Sequence, residues 1–203
     1  MSAPRKRAVP ARSGPAAKPA TVLVMRTCDA SMRSHGGFVW PKSGPVECPD
    51  WNSEPVCGGG LHGLLWGEGD GSLVNHDRSA NWLVVEVIAS EVVDLDRKVK
   101  FPRGTIVFCG SAFEATKYIA ERAPNSVKAI VGGTSTSGDR GTSTSGDGGT
   151  STSGDGGEIR IRWWDDKSIR YRTAVGHIGE DGLLAGIAYC CREGKFFRKD
   201  GQR

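Results

Sequence analysis

The chain has 203 residues, 37% of them hydrophobic and 25% charged, with a formal net charge of +4. That length and balance fit one or two small domains. No apolar run approaches the ~20 residues of a bilayer-spanning helix, and the amino terminus lacks the apolar core of a signal peptide, so membrane roles are set aside and the chain is expected in the cytoplasm.

Residues 1–20 are rich in Pro, Ala, Arg and Lys and contain no acid; Arg5, Lys6, Arg7, Arg12 and Lys18 carry the charge excess of the whole chain. A disordered basic arm is expected, able to neutralise phosphates without reading sequence. Nucleic acid is therefore one partner to consider.

From Thr21 to about residue 124 the composition is that of a small α+β domain. Thr21–Arg26, Gly37–Trp40, Asn81–Val87, Glu91–Leu95 and Gly104–Cys109 read as strands. Ser111 followed by Glu114 is a capping box and opens a helix to about Arg122, with Ala112, Ala115, Ile119 and Tyr118 as its buried stripe. The six cysteines, Cys28, Cys48, Cys57, Cys109, Cys190 and Cys191, form no C-x-x-C pair and are read as free thiols.

The stretch between Trp40 and Asn81 is loop-rich and holds the element most like a ligand motif, Cys57-Gly58-Gly59-Gly60-Leu61-His62. Three glycines let a backbone approach a ligand closely, and the histidine suits a phosphate, a metal or a sugar edge; Gly58, Gly59, Gly60 and His62 are the ligand-binding candidates. The competing reading is a packed histidine in a glycine turn. No Gly-Lys-Ser/Thr follows and no strand leads into it, so neither a phosphate loop nor a dinucleotide fingerprint is present. Cys48, Cys57 and His62 with Cys28 or His35 lack the paired short spacing of a zinc site. No metal and no cofactor is assigned.

Residues 125–161 are organised by an octapeptide, G-T-S-T-S-G-D-x, written three times from Gly133, Gly141 and Gly149. Sliding the octad outward keeps its register, with Val127 and Ala129 upstream and Ile159 and Ile161 downstream in the serine columns. A flexible Gly/Ser linker has no reason to keep that register. Each octad is read as a T-S-T-S strand plus a glycine-aspartate corner, stacked into a short β-solenoid with serines inward, threonines outward and the apolar pairs as end caps.

Residues 162–203 read as a β-rich cap: Glu158–Trp164 and Ser168–Val175 form a hairpin, and a second, smaller one turns at Glu193-Gly194. Arg160, Arg162, Arg170 and Arg172 interleaved with Trp163 and Trp164 are the nucleic-acid candidates, because arginines and aromatic faces clamp phosphates and stack on bases. The competing reading is a solvated arginine face, offset by Glu158, Asp165 and Asp166. The expected fold is thus an α+β domain, then a short β-solenoid of octads, then a hairpin cap.

The order of a Gly-Phe-x-Trp strand (Gly37–Trp40), a Cys-Gly-x-Gly-Leu-His element (Cys57–His62), a V-V-E strand (Val84–Glu86), a Lys-x-Lys-Phe strand (Lys98–Phe101) and tandem octads resembles an uncharacterised family of bacterial, phage and prophage proteins, some called ice-nucleation-like for their repeats. The resemblance spans Thr21 to about Phe197 and implies the cytoplasm of a bacterium or of an infected host. It implies an architecture and no catalytic residue.

No nucleophile with its base and no acid/base pair stands out. A non-enzymatic accessory or interaction protein therefore ranks first, with the repeat as spacer or self-assembly surface and a protein partner or a second copy as ligand. One alternative is a nucleotide-acting enzyme resembling an ADP-ribosyltransferase, in which His62 and Glu86 stand in the right order but the intervening tyrosine is missing. Nucleic-acid binding through the arm and the arginine hairpin is another. An ice-binding Thr-x-Thr array ranks last, since three octads make a narrow lattice.

Overall fold

The computed structural model describes residues 19–200, so the five basic residues of the amino-terminal arm lie outside it. Seven strands, β1 (Thr21–Cys28), β2 (Gly44–Glu47), β3 (Leu61–Leu65), β4 (Asn81–Ile88), β5 (Val93–Asp94), β6 (Val99–Phe101) and β7 (Arg103–Gly110), form one antiparallel sheet in the order β2-β7-β4-β1-β3-β6-β5. The central pair β1 and β4 is apolar at most positions because both faces of the sheet are covered. One face carries Leu23, Met25, Trp82 and Val84 under helix α1 (Ala112–Ala120), whose Ala115 and Ile119 are fully buried. The other face carries Val24, Leu83, Val85 and Phe101 beneath the loops that hold Met32, Trp40 and Cys48.

The helix starts where the sequence places it, and the capping box between Ser111 and Glu114 is formed in both directions. Gly37–Trp40 does not become a strand. Only an isolated bridge from Arg33 to Val39 forms there, closing a turn in which the Asp29 carboxylate accepts the Ser31 and Arg33 amides.

The octads supply β8 (Thr134–Thr136), β9 (Thr142–Ser145) and β10 (Thr150–Thr152); the rest of the chain adds β11 (Glu158–Asp165), β12 (Arg170–His177), β13 (Tyr189–Arg192) and β14 (Lys195–Arg198). Alternate octads fall in different sheets. Thr134 pairs in parallel with Thr150 in a sheet ordered β14-β13-β10-β8, and Ser143 pairs in parallel with Ile159 in a sheet ordered β12-β11-β9. Serines fill the space between the two sheets. Ser143, Ser145, Ser151 and Ser153 are buried; Ser145 bonds Ser151 at 3.0 Å, and Ser137 bonds Ser153 at 2.8 Å. Ile159 and Ile161 continue the serine columns and are buried with Tyr189 and Cys191 of the terminal hairpin.

The expected fold class does not hold. The described residues are mostly β, three sheets and one nine-residue helix, and the octads close no solenoid. Three octads give each sheet a single parallel rung, and antiparallel strands from the chain's end complete both sheets. The upstream cap fails as well: residues 127–130 are not a strand, because the Glu68 carboxylate takes the Lys128 and Ala129 amides at 2.8 and 2.6 Å. The left-handed corner residue is the eighth of each octad, with φ of 54° at Arg140, 65° at Gly148 and 61° at Gly156. Glycine stands there twice because that backbone region penalises a Cβ.

The sheets are tied together at Asp70, which is 1% exposed. Its carboxylate accepts the Ser72 amide and hydroxyl and the Tyr171 hydroxyl of β12, and it pairs with Arg97; the Tyr171 oxygen in turn accepts the Gly71 amide at 2.7 Å. Arg97 lies over the Trp164 ring at 4.5 Å, and Trp164 meets Tyr171 edge-on at 5.1 Å.

Candidate functional site

Strand β3 begins at Leu61 and carries His62 opposite Lys100 of β6. Lys100 is fully buried, and its ammonium donates to the Val56 and Gly58 carbonyls at 2.9 and 3.4 Å, so it pins the glycine loop from below. Gly58 and Gly59 have positive φ, and a Cβ on Gly60 would press the Trp51 ring at 3.1 Å. The glycine run thus serves the packing of the loop on Trp51 and Lys100. His62 borders a cavity of about 440 Å³ together with Arg26, Trp40 and Cys48. Arg26 and Trp40 were missed as site residues; the signal was a lone arginine in the apolar run V-L-V-M-R.

Burial above all, then the charges of Lys98, Arg26 and Lys100, push the His62 imidazole down to about 4 from 6.5. The folded chain refuses a proton that the unfolded chain accepts, so the stability His62 contributes is whole above pH 6.5 and is lost as the pH falls toward 4. With partial exposure allowed for, that loss is on the order of 2 kcal/mol. Urea unfolding followed from about pH 7 to about pH 4.5 should show a flatter profile for His62→Gln than for the unmodified chain; identical profiles would remove His62 as the cause.

Glu86 lies elsewhere. It accepts a 3.0 Å hydrogen bond from the Thr21 hydroxyl and borders a different cavity, with Arg103 and Pro45. None of the cavities described is lined by both Glu86 and His62. Among the described residues no group of three or more His, Cys, Asp or Glu side chains is placed to hold a metal ion.

The arginine hairpin is largely engaged within the chain. Arg160 pairs with Glu158, and Arg172 pairs with Asp165 at 2.5 Å, which holds that carboxyl below the usual range. Arg162 lies over the Tyr171 ring at 4.2 Å. Trp163 packs on Ile161 and Gly194, Trp164 on Arg97 and Tyr171, and Arg170 is exposed. The Tyr171 and Trp164 rings are therefore each covered by an arginine, one from the hairpin and one from the loop before β6, and Trp163 is packed against its own sheet.

A third location lies on the octads, which the sequence offers as a self-assembly surface without showing the groove beside them. β8 and β9 are the outermost strands of their sheets, they lie against each other, and a groove of about 930 Å³ runs along them beneath α1, bordered by Phe113, Lys117, Val127, Thr136, Thr144 and Arg160. Phe113 is 61% exposed, and Thr134, Thr136 and Thr142 are exposed as well. An outermost strand presents amides and carbonyls without ladder partners.

Comparison with known proteins adds a partial likeness. Residues 22–119 match the profile of a family described as a domain of unknown function (DUF7666). An ice nucleation protein of Xanthomonas campestris pv. translucens is 41% identical over 105 residues, 51% of this chain and 7% of that protein. The ice nucleation protein InaU of Pantoea ananas is 41% identical over 102 residues, 48% of this chain and 10% of its own length, and one from Pseudomonas syringae pv. syringae is 38% identical over 117 residues, 57% and 9%. The chain thus spans about a tenth or less of these relatives. No solved structure matches it. No helix among the described residues is long and apolar enough to cross a membrane. Over about half its length, this chain is similar to ice nucleation proteins.

Proposed function

We propose that this protein is a non-enzymatic interaction protein that associates with itself through the octad edge formed by β8 and β9. The observation that carries the reading is the position of both strands at the rim of their sheets, with exposed threonines beside them. The occupant is a second copy, because the chain already pairs octad with octad: β10 meets β8 residue for residue, Thr150 on Thr134 and Thr152 on Thr136. A Thr-Ser-Thr-Ser edge is self-complementary about a two-fold axis, which is the commonest symmetry of protein dimers. The accessory role, of phage or prophage type, rests on the order of elements from Gly37 to the octads and on the similarity to ice nucleation proteins. An ice surface as partner has less support, since Thr150, in an outward column, is buried and three octads make a narrow lattice.

Light scattering at rising concentration tests this against the 21.6 kDa of one chain. The unmodified protein is expected to exceed that mass. Thr136→Lys with Thr144→Lys places charges on the rim and should return it to a monomer, as edge lysines block strand pairing. A monomeric mass for the unmodified protein at high concentration overturns the proposal.

A further inference from the structure

Three side chains that line the cavity beside His62 carry buried nitrogens without a hydrogen-bond partner: Arg26 Nε, Trp40 Nε1 and His62 Nε2. Buried polar atoms without partners are uncommon because each costs roughly 1–3 kcal/mol, and two donors and one ring nitrogen around one cavity point to a ligand. Trp40 is 3% exposed, and the Arg26 guanidinium stands 5.8 Å from its ring while Nη1 donates to the His62 carbonyl. The surroundings are electropositive: Lys98 and Lys100 stand near, and Asp50, the acid on the rim, accepts the Cys48 thiol at 2.9 Å. The His62 ring is neutral at pH 7, and with its one proton directed to the Gly60 backbone the unpartnered Nε2 is a lone-pair acceptor.

We propose that this cavity binds a phosphate group, with Arg26 Nε–H and the Trp40 indole N–H donating to its oxygens and His62 Nε2 accepting its O–H. The acceptor is what separates phosphate from other anions. Hydrogen phosphate carries a proton to give; sulfate, of the same shape and charge, does not, and would leave Nε2 unpaired. All three nitrogens are shut off from solvent, so the anion reaches them when the exposed Gly36-Gly37 turn that borders the cavity moves aside.

The experiment is a titration of the full chain at neutral pH with inorganic phosphate, with sodium sulfate and sodium chloride at matched ionic strength as controls. The readout is the Trp40 indole resonance in a nitrogen–proton spectrum, identified by its absence in Trp40→Phe, together with the Gly36 and Gly37 amides. Saturable shifts with phosphate, at least ~10-fold weaker with sulfate, are expected. Calorimetry on Trp40→Phe, which keeps the ring and removes the donor, should show phosphate affinity reduced about 5- to 10-fold. Shifts that are linear and equal for the three salts overturn the site. Equal saturable binding of phosphate and sulfate overturns the acceptor role of His62 and with it the phosphate assignment. Phenyl phosphate binding more tightly than inorganic phosphate identifies an organic phosphate as the source; the reverse order identifies the free ion.

Discussion

Replacing Gly146 by alanine is expected to cost about 3 kcal/mol or more, while the same change at Gly138 stays within about 0.5 kcal/mol. Both glycines occupy the sixth place of an octad, so local sequence does not separate them. A Cβ on Gly146 would overlap the Ala129 carbonyl oxygen and lie 2.7 Å from the Ile130 carbonyl carbon, and both are backbone atoms with nowhere to retreat. Relief would require moving the 129–130 segment, which the Gly146 amide holds by its 3.1 Å bond to Ile130 and Glu68 holds by the Ala129 amide. At Gly138 nothing lies within 4 Å and φ is outside the left-handed region. Thermal unfolding by circular dichroism compares the two directly. Equal midpoints would mean that residues 129–130 do not pack on the second octad.

The Asp70→Ala chain should lose about 3 kcal/mol, the range for removing a charged acceptor with several donors. The loss is concentrated because one buried carboxylate serves the 71–73 turn, the Tyr171 hydroxyl and Arg97 at once. Tyr171→Phe removes a single hydroxyl from the same group and should cost about 1–2 kcal/mol. The double variant should then cost less than the sum, since the two side chains share a hydrogen bond. Full additivity in urea unfolding would show that Tyr171 and Asp70 stabilise their own segments independently, and that the hairpin is not fastened to the seven-stranded sheet at this point.

Local physics wrote several parts of this fold plainly. Ser111 and Glu114 marked a helix start that the structure forms, since a capping box needs only four consecutive residues. Glu193-Gly194 marked a two-residue turn, and both residues take the positive φ, 48° and 79°, of a hairpin turn matched to strand twist. The alternation of serine and threonine marked inward and outward columns, and Ser143, Ser145, Ser151 and Ser153 are buried between the sheets. Yet Thr150, in an outward column, is 4% exposed. The terminal hairpin extends that sheet through the pairing of Ser151 with Tyr189, a contact between residues far apart in sequence.

The candidate site was half legible. His62 and the glycines stood out by composition; Arg26 and Trp40 did not, because nothing near them in the chain shows that a turn after β1 brings Trp40 against Arg26 and the start of β3. The same limit separated His62 from Glu86, which chain order had put together. What the sequence by itself determined was the character of each short stretch: where a strand alternates, where a helix is capped, where a corner turns. Which sheet each octad joins, that no solenoid closes, and which of three identical glycines tolerates a methyl group were decided by tertiary structure alone, because those outcomes depend on the neighbours that residues 68, 129 and 189 supply across the fold.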